Sequence, residues 1–142
     1  IKMKKIIFAL SFLICTISFS QDIPLGDNFF KADFTVDSVT LGIESNQMNV
    51  SGDVGGGYGR VYLSYVFTNK MQTKDSGEFT GLAWTQAGET FAQASLQGIW
   101  KRNGKIFEIY TFDNVTDGKK TVAKGILDFV NKTLKFEASQ FE

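Results

Sequence analysis

The dipeptide Asn103-Gly104 lies between two runs rich in apolar, β-branched and aromatic residues. Asn-Gly supplies the positive φ angles that a tight type I′ turn requires, so the sequence predicts an antiparallel hairpin at this point. If these two residues form the loop, Trp100 faces Phe107 across the hairpin. Because side chains alternate between the two faces of a strand, the turn also predicts which residues share a face.

A second turn, Ala87-Gly88, predicts another hairpin immediately before the first. A two-residue loop there sets Ala83 against Ala92. The two turns agree in grouping small and apolar residues on one face, which includes Phe79, Ala83, Leu96, Trp100, Phe107 and Ile109. The opposite face is more polar, and the predicted register sets Glu78, Gln97 and Tyr110 in a row, with Glu108 on the diagonal.

The rest of the chain repeats this alternation of strand-forming runs and turn residues. Glycine occurs 14 times and proline once, and no run has a convincing helical pattern. We predict strands near 30–37, 39–45, 47–52, 59–68, 77–86, 90–101, 105–113, 120–130 and 133–140, which makes eight or nine. Sequential hairpins leave no exposed edge if they close, so we predict an all-β, antiparallel meander barrel, with a β-sandwich as the alternative.

The first twenty residues have the pattern of a helical signal peptide. Lysines precede an apolar stretch from Ile6 to Phe19, and small residues precede a cleavage site between Ser20 and Gln21. The apolar stretch is shorter than the ~20 residues that span a bilayer, which favours cleavage over anchoring. We therefore expect a secreted or periplasmic protein in which residues 21–142 form one barrel domain.

Composition excludes several functional classes. The chain has no histidine, and its single cysteine, Cys15, lies in the predicted signal peptide, which removes histidine and cysteine nucleophile chemistry and the usual zinc ligands. Without the three leader lysines, 12 basic residues stand against 15 acidic ones, and they are scattered, so we expect no nucleic-acid partner. We expect no metal and no cofactor.

Two segments resemble a known family. The run from Met48 to Asp53, followed by a glycine-rich link and Tyr58 to Tyr65, resembles the allene oxide cyclase-type barrel, and so do Gly77 to Leu82 and the hairpin that ends in Ala94 to Gly98. The pattern of glycines and aromatic residues is similar to that of uncharacterised bacterial members. The resemblance implies a barrel, a lumen and oligomers, and it identifies no catalytic residue.

The polar face supplies the candidate site residues. If it lines a lumen, a carboxylate beside aromatic rings would have a raised pKa and could transfer protons, which makes Glu78 and Glu108 the candidate catalytic residues. The candidate ligand-binding residues are Gln97, Tyr110, Trp84, Gln93 and Ser95. In the alternative arrangement this face is turned to solvent and the apolar face fills a closed interior.

Three functions follow from these patterns. The first is a non-catalytic module that binds a small apolar or amphiphilic ligand or a protein partner, including a second copy of the chain. The second is a cofactor-free isomerase or cyclase that uses a lumen carboxylate. The third, ranked last because charges are spread along both faces, is a small outer-membrane barrel.

Overall fold

The computed structural model describes residues 28–55 and 57–142, and within them it contains eight strands and no helix. The strands are β1 (Asn28–Thr40), β2 (Asn46–Val54), β3 (Gly59–Thr68), β4 (Ser76–Ala87), β5 (Thr90–Asn103), β6 (Ile106–Val115), β7 (Lys120–Asp128) and β8 (Thr133–Phe141). Each strand pairs antiparallel with the next, and β8 pairs with β1. The predicted all-β closed meander barrel is confirmed.

Strand β1 contains the strand predicted at 30–37 and only the first two residues of the strand predicted at 39–45; the rest of that predicted strand is loop. Its first part pairs with β8 and its last part with β2, and the register shifts between Val36 and Ser38. The shift leaves Asp37 as an extra residue, which bends the strand without ending it. The chain turns later, at 41–45, and the barrel therefore has eight strands.

Both predicted hairpins exist, but each predicted register is wrong by two residues. Trp100 pairs with Ile109 and Ala83 with Ala94, because the loops are Gly104-Lys105 and Gly88-Glu89. In each loop the glycine comes first and has a φ near +64° or +63°, as a type II′ turn requires. A shift of two residues preserves the face of every side chain, so Trp100 and Phe107 still share a face, with ring centroids 6.0 Å apart.

The predicted apolar face points into the barrel. Phe79, Leu96 and Ile109 are buried, whereas the charged side chains of the strands mostly point outward. Glycines make room for the larger inward side chains: a Cβ on Gly125 would lie 2.5 Å from Phe136 Cε1, and one on Gly77 would lie 2.6 Å from Trp100 Nε1. The glycines and aromatic residues of the sequence therefore reflect side-chain packing inside the barrel. An apolar interior is the reverse of the polar lumen typical of outer-membrane barrels, which counts against that third function.

Large side chains fill one end of the barrel, which we call the base. Trp100 and Phe107 lie there, and the edge of Phe129, in the loop before β8, packs on the Phe107 ring. The indole Nε1 of Trp100 donates a hydrogen bond of 3.0 Å to the backbone oxygen of Thr68. This bond satisfies the polar atom of a bulky side chain that would otherwise be costly to bury. The base is therefore plugged.

The predicted signal peptide and its cleavage site lie outside the described residues. Among the described residues, no helix is long and apolar enough to cross a membrane.

Candidate functional site

The opposite end of the barrel, which we call the mouth, contains an internal cavity of about 120 Å³. The mouth is formed by the loops between β2 and β3, β4 and β5, and β6 and β7. All eight strands contribute to the cavity wall, and Phe34, Leu63 and Tyr65 lie among its apolar lining residues.

The cavity exists because the side chains change size along the barrel axis. Aromatic residues fill the base, but near the mouth six of the lining residues are alanines: Ala32, Ala83, Ala92, Ala94, Ala123 and Ala138. A ring of methyl groups cannot meet across a barrel of eight strands, so space is left between them. The facing alanines of β4 and β5 are the part of this ring that the sequence predicted on one face.

Polar groups converge at the outer limit of this apolar space. Asp113 pairs with Thr121 across β6 and β7, and Thr121 pairs with Gln140 across β7 and β8. All three residues line the cavity, and Gln140 Nε2 donates a hydrogen bond of 3.3 Å to Thr121 Oγ1. The mouth end therefore carries a row of one carboxyl, one hydroxyl and one amide, which we call the polar row. An apolar pocket with a few convergent polar groups is typical of small-molecule sites.

Burial changes the ionisation of the carboxyl in this row. Desolvation raises the pKa of Asp113 from 3.8 to about 7, and a hydrogen bond donated by Thr111 partly offsets that effect. Across the cavity, Tyr65 is fully buried, and burial together with the charge of Asp113 raises the pKa of its hydroxyl well above 10. At neutral pH the cavity thus contains a carboxyl that exists in both its neutral and its charged form.

Tyr58, the last residue of the loop before β3, forms part of the mouth. Its hydroxyl donates a hydrogen bond of 2.6 Å to Asp117 Oδ2 in the loop between β6 and β7, and its backbone oxygen accepts one from Thr85. Burial and the Asp117 carboxylate raise the pKa of Tyr58. Because these two loops lie on different sides of the barrel, the Tyr58–Asp117 bond crosses the mouth.

The candidate catalytic residues lie elsewhere. Glu78 and Glu108 both project from the outer face, so the condition on which their role depended, a place in the lumen, is not met. Glu78 Oε2 accepts a 3.1 Å hydrogen bond from the Lys70 backbone, and Glu108 forms a 3.2 Å ion pair with Lys124. The polar face of the sequence is the solvent face, which was the alternative arrangement.

The predicted row across three strands also differs. Glu78 and Tyr110 both pair with Ile99, whereas Gln97 pairs with Thr80, because the true register is displaced by two residues. Gln97 and Tyr110 are exposed on the outer face. The true register therefore removes Gln97 from the row in which the sequence had placed it between Glu78 and Tyr110.

The other candidate ligand residues do lie together. Trp84 pairs with Gln93, and Ser95 is two residues further along β5; all three line a wide outer groove of about 710 Å³. Tyr62 and Trp84 have ring centroids 6.1 Å apart in this region, and both are about half exposed. Trp84 and Gln93 also border the cavity at the mouth. Their role in ligand binding stays a prediction.

Sequence reasoning missed Asp113, although a signal was present. Asp113 follows Ile109 and Thr111 at intervals of two within a predicted strand, so alternation alone assigns its side chain to the apolar face. A carboxylate on an apolar face is costly unless it is compensated, which makes it a marker of function. The candidate residues predicted from the sequence all belong to the polar face, which does not include Asp113.

Comparisons with protein-family models, with curated proteins and with solved structures found no match. They do not bear on the resemblance to the allene oxide cyclase-type barrel, which stays a prediction. Among the described residues, no group of three or more carboxylates or other metal-binding side chains is close enough to hold an ion.

Proposed function

We propose that the protein is an exported binding module that holds one small, mainly apolar molecule in the cavity at the mouth. The observation that carries this proposal is the combination of an alanine-lined space with a polar row at its open end and a plugged base. Apolar walls favour the body of such a ligand by the hydrophobic effect, and the polar row orients its polar end. The export part depends on the pattern of residues 1–20.

The size of the cavity limits the ligand. A cavity of about 150 Å³ lined by apolar side chains accommodates benzene, and the cavity here is slightly smaller at about 120 Å³. A chain of four or five carbon atoms with one polar end fits this space. Ligands of that size reach affinities no tighter than about micromolar, since each non-hydrogen atom contributes at most ~1.5 kcal/mol.

A cavity-filling variant tests the proposal. In Ala94→Leu the larger side chain occupies the space between the alanines, so binding of 1-butanol, followed by amide chemical shifts, should weaken at least about tenfold. Thr80→Leu adds volume at an exposed outward position of the neighbouring strand β4, outside both the cavity and the outer groove, and should leave binding unchanged. Equal binding of 1-butanol by the wild type and Ala94→Leu would contradict the proposal. A wild type that binds neither 1-butanol nor n-butylamine would also contradict it.

The raised pKa of Asp113 favours a second candidate, a cofactor-free proton-transfer enzyme. A carboxyl that titrates near neutral pH inside an apolar cavity can remove a proton from carbon next to a carbonyl group and return it. This candidate uses Asp113 in the role that the sequence assigned to Glu78 and Glu108. The test is deuterium incorporation from heavy water into 2-butanone, which should be faster with the wild type than with Asp113→Asn; equal rates would exclude it.

A further inference from the structure

Asp113 is the acidic residue among the side chains that line the cavity, and its surroundings offer no counter-charge. In the part of the chain that the structure describes, the ion pairs of lysine and arginine involve Asp53, Asp75 and Glu108, and none involves Asp113. Among the described residues, the Asp113 carboxyl accepts a hydrogen bond from the neutral hydroxyl of Thr111. A charged carboxylate is costly to bury without a cation, so a cationic ligand would stabilise the ionised form of Asp113.

We propose that the cavity selects a small primary ammonium ion, whose charged group pairs with Asp113 and whose alkyl chain lies among the alanines. This inference rests on the proposed function and names its ligand class. The ammonium group pairs with Asp113 at the mouth end, while the alkyl chain extends toward Phe34 and Tyr65. Pairing offsets part of the cost of burying either charge alone, and the alkyl chain is removed from water.

The hydrogen-bonding capacity of the polar row matches this group. A primary ammonium has three N–H donors and no acceptor. The row contains three groups on adjacent strands that have acceptor capacity beyond their present hydrogen bonds: the Asp113 carboxylate, which accepts from Thr111; the Thr121 hydroxyl, which accepts from Gln140 Nε2; and the side-chain oxygen of Gln140. An alcohol of the same length has one donor and leaves two of these acceptors unused. A carboxylate ligand would place a second negative charge beside Asp113, which is unfavourable.

Three probes of nearly equal size separate these cases: n-butylamine, 1-butanol and butyrate. At pH 8, where the Asp113 carboxyl is mostly ionised, we expect n-butylamine to bind at least about tenfold more tightly than 1-butanol, and butyrate to bind most weakly. Affinities are measured by chemical-shift titration of the purified protein. Binding of 1-butanol with no preference for the amine would overturn this inference and leave the proposed function standing. Binding of none of the three would overturn both.

The variant Asp113→Asn keeps the shape of the side chain and removes the charge. We expect it to lose at least about tenfold in affinity for n-butylamine and to keep its affinity for 1-butanol within about threefold. The matched control is Glu108→Gln, which removes a carboxylate from the outer face of the same strand and should change neither affinity. Unchanged amine binding in Asp113→Asn would overturn the inference.

The pH dependence of the wild type gives a second test that needs no variant. The other titratable side chains that line the cavity are Tyr58 and Tyr65, which stay neutral because their pKa values are raised, and Asp117 at the rim stays charged because its pKa is lowered. Ionisation of Asp113 then controls the binding. With a pKa of about 7, affinity for the amine should fall roughly thirtyfold from pH 8 to pH 5.5, with little change for 1-butanol. Equal amine affinity at both pH values would overturn the inference.

Discussion

Asp113 accepts a hydrogen bond from the Thr111 hydroxyl two residues earlier on β6, and both side chains point into the barrel. One hydrogen bond stabilises the charged carboxylate, but it does not compensate fully for the loss of water. The barrel therefore contains a group that favours its neutral form up to about pH 7.

The raised pKa of Asp113 predicts how the stability of the folded protein depends on pH. The folded protein keeps a proton on Asp113 up to about pH 7, whereas the unfolded chain loses it near pH 3.8, so unfolding releases a proton between those values. The stabilising contribution of the protonated Asp113 carboxyl to the free energy of unfolding is full below pH 3.8 and is lost as pH rises through 7. A shift of about three pKa units corresponds to on the order of 4 kcal/mol.

Urea unfolding of the wild type and Asp113→Asn from pH 4 to pH 8 measures that contribution. Asp113→Asn should be the more stable protein at pH 8 and should lack the decline, whereas Glu108→Gln should follow the wild type. A decline of the same size in Asp113→Asn would assign the pH dependence to another group.

The bond across the mouth predicts a change in the titration of Tyr58. Asp117→Asn removes the negative charge but keeps an oxygen that can accept the hydrogen bond from Tyr58. Because Asp117 contributes to the raised pKa of Tyr58 after desolvation, the pKa should move back toward 10 in this variant. Ultraviolet difference titration measures the shift, and Asp128→Asn, at the opposite end of the barrel, should leave it unchanged.

The glycines of the inner face should not tolerate a methyl group. An added Cβ on Gly98 would lie 2.9 Å from Phe79 Cζ and would also collide with the Tyr110 backbone oxygen of the neighbouring strand. Gly98→Ala should therefore lower the free energy of unfolding by about 2 to 3 kcal/mol or more. Gln97→Ala, at the adjacent exposed position, should cost less than ~0.5 kcal/mol. Equal midpoints in thermal unfolding would mean that the strands separate to accommodate the methyl group.

The hydrogen bond at the base makes Trp100 difficult to replace by another aromatic residue. Trp100→Phe keeps a ring but leaves the Thr68 backbone oxygen without its donor. We expect a loss of about 1 to 3 kcal/mol from the unsatisfied oxygen, plus the cost of the smaller ring. Trp84→Phe, at a half-exposed position, should cost less. A similar loss for both variants would show that the hydrogen bond contributes little.

Most of the fold could be predicted from the sequence, because the alternation of side chains along each strand shows which residues share a face of the sheet. The assignment of Trp100 and Phe107 to one face was correct although the register was wrong, since a two-residue shift leaves every face unchanged. The choice between a type I′ and a type II′ turn could not be made from Asn103-Gly104, because both turn types use glycine. The bulge at Asp37 was also missed, since a bulge and a short turn have similar composition.

The candidate site was harder to predict, because it depends on which face points inward. Polar residues such as Gln97 and Glu108 are frequent on an outer face and carry no signal by themselves. Asp113 could have been found by following the apolar face to the end of its strand. The cavity could not, because it arises where alanines from several strands, such as Ala94 and Ala123, line one space, and their heights along the barrel axis depend on the full register.

Large aromatic side chains at the base leave the free volume of the barrel at its other end, within the part of the chain that the structure describes. Under the proposed function, a ligand would enter and leave on the mouth side, so exchange would be sequential. The volume of about 120 Å³ would also limit binding to one small molecule per barrel.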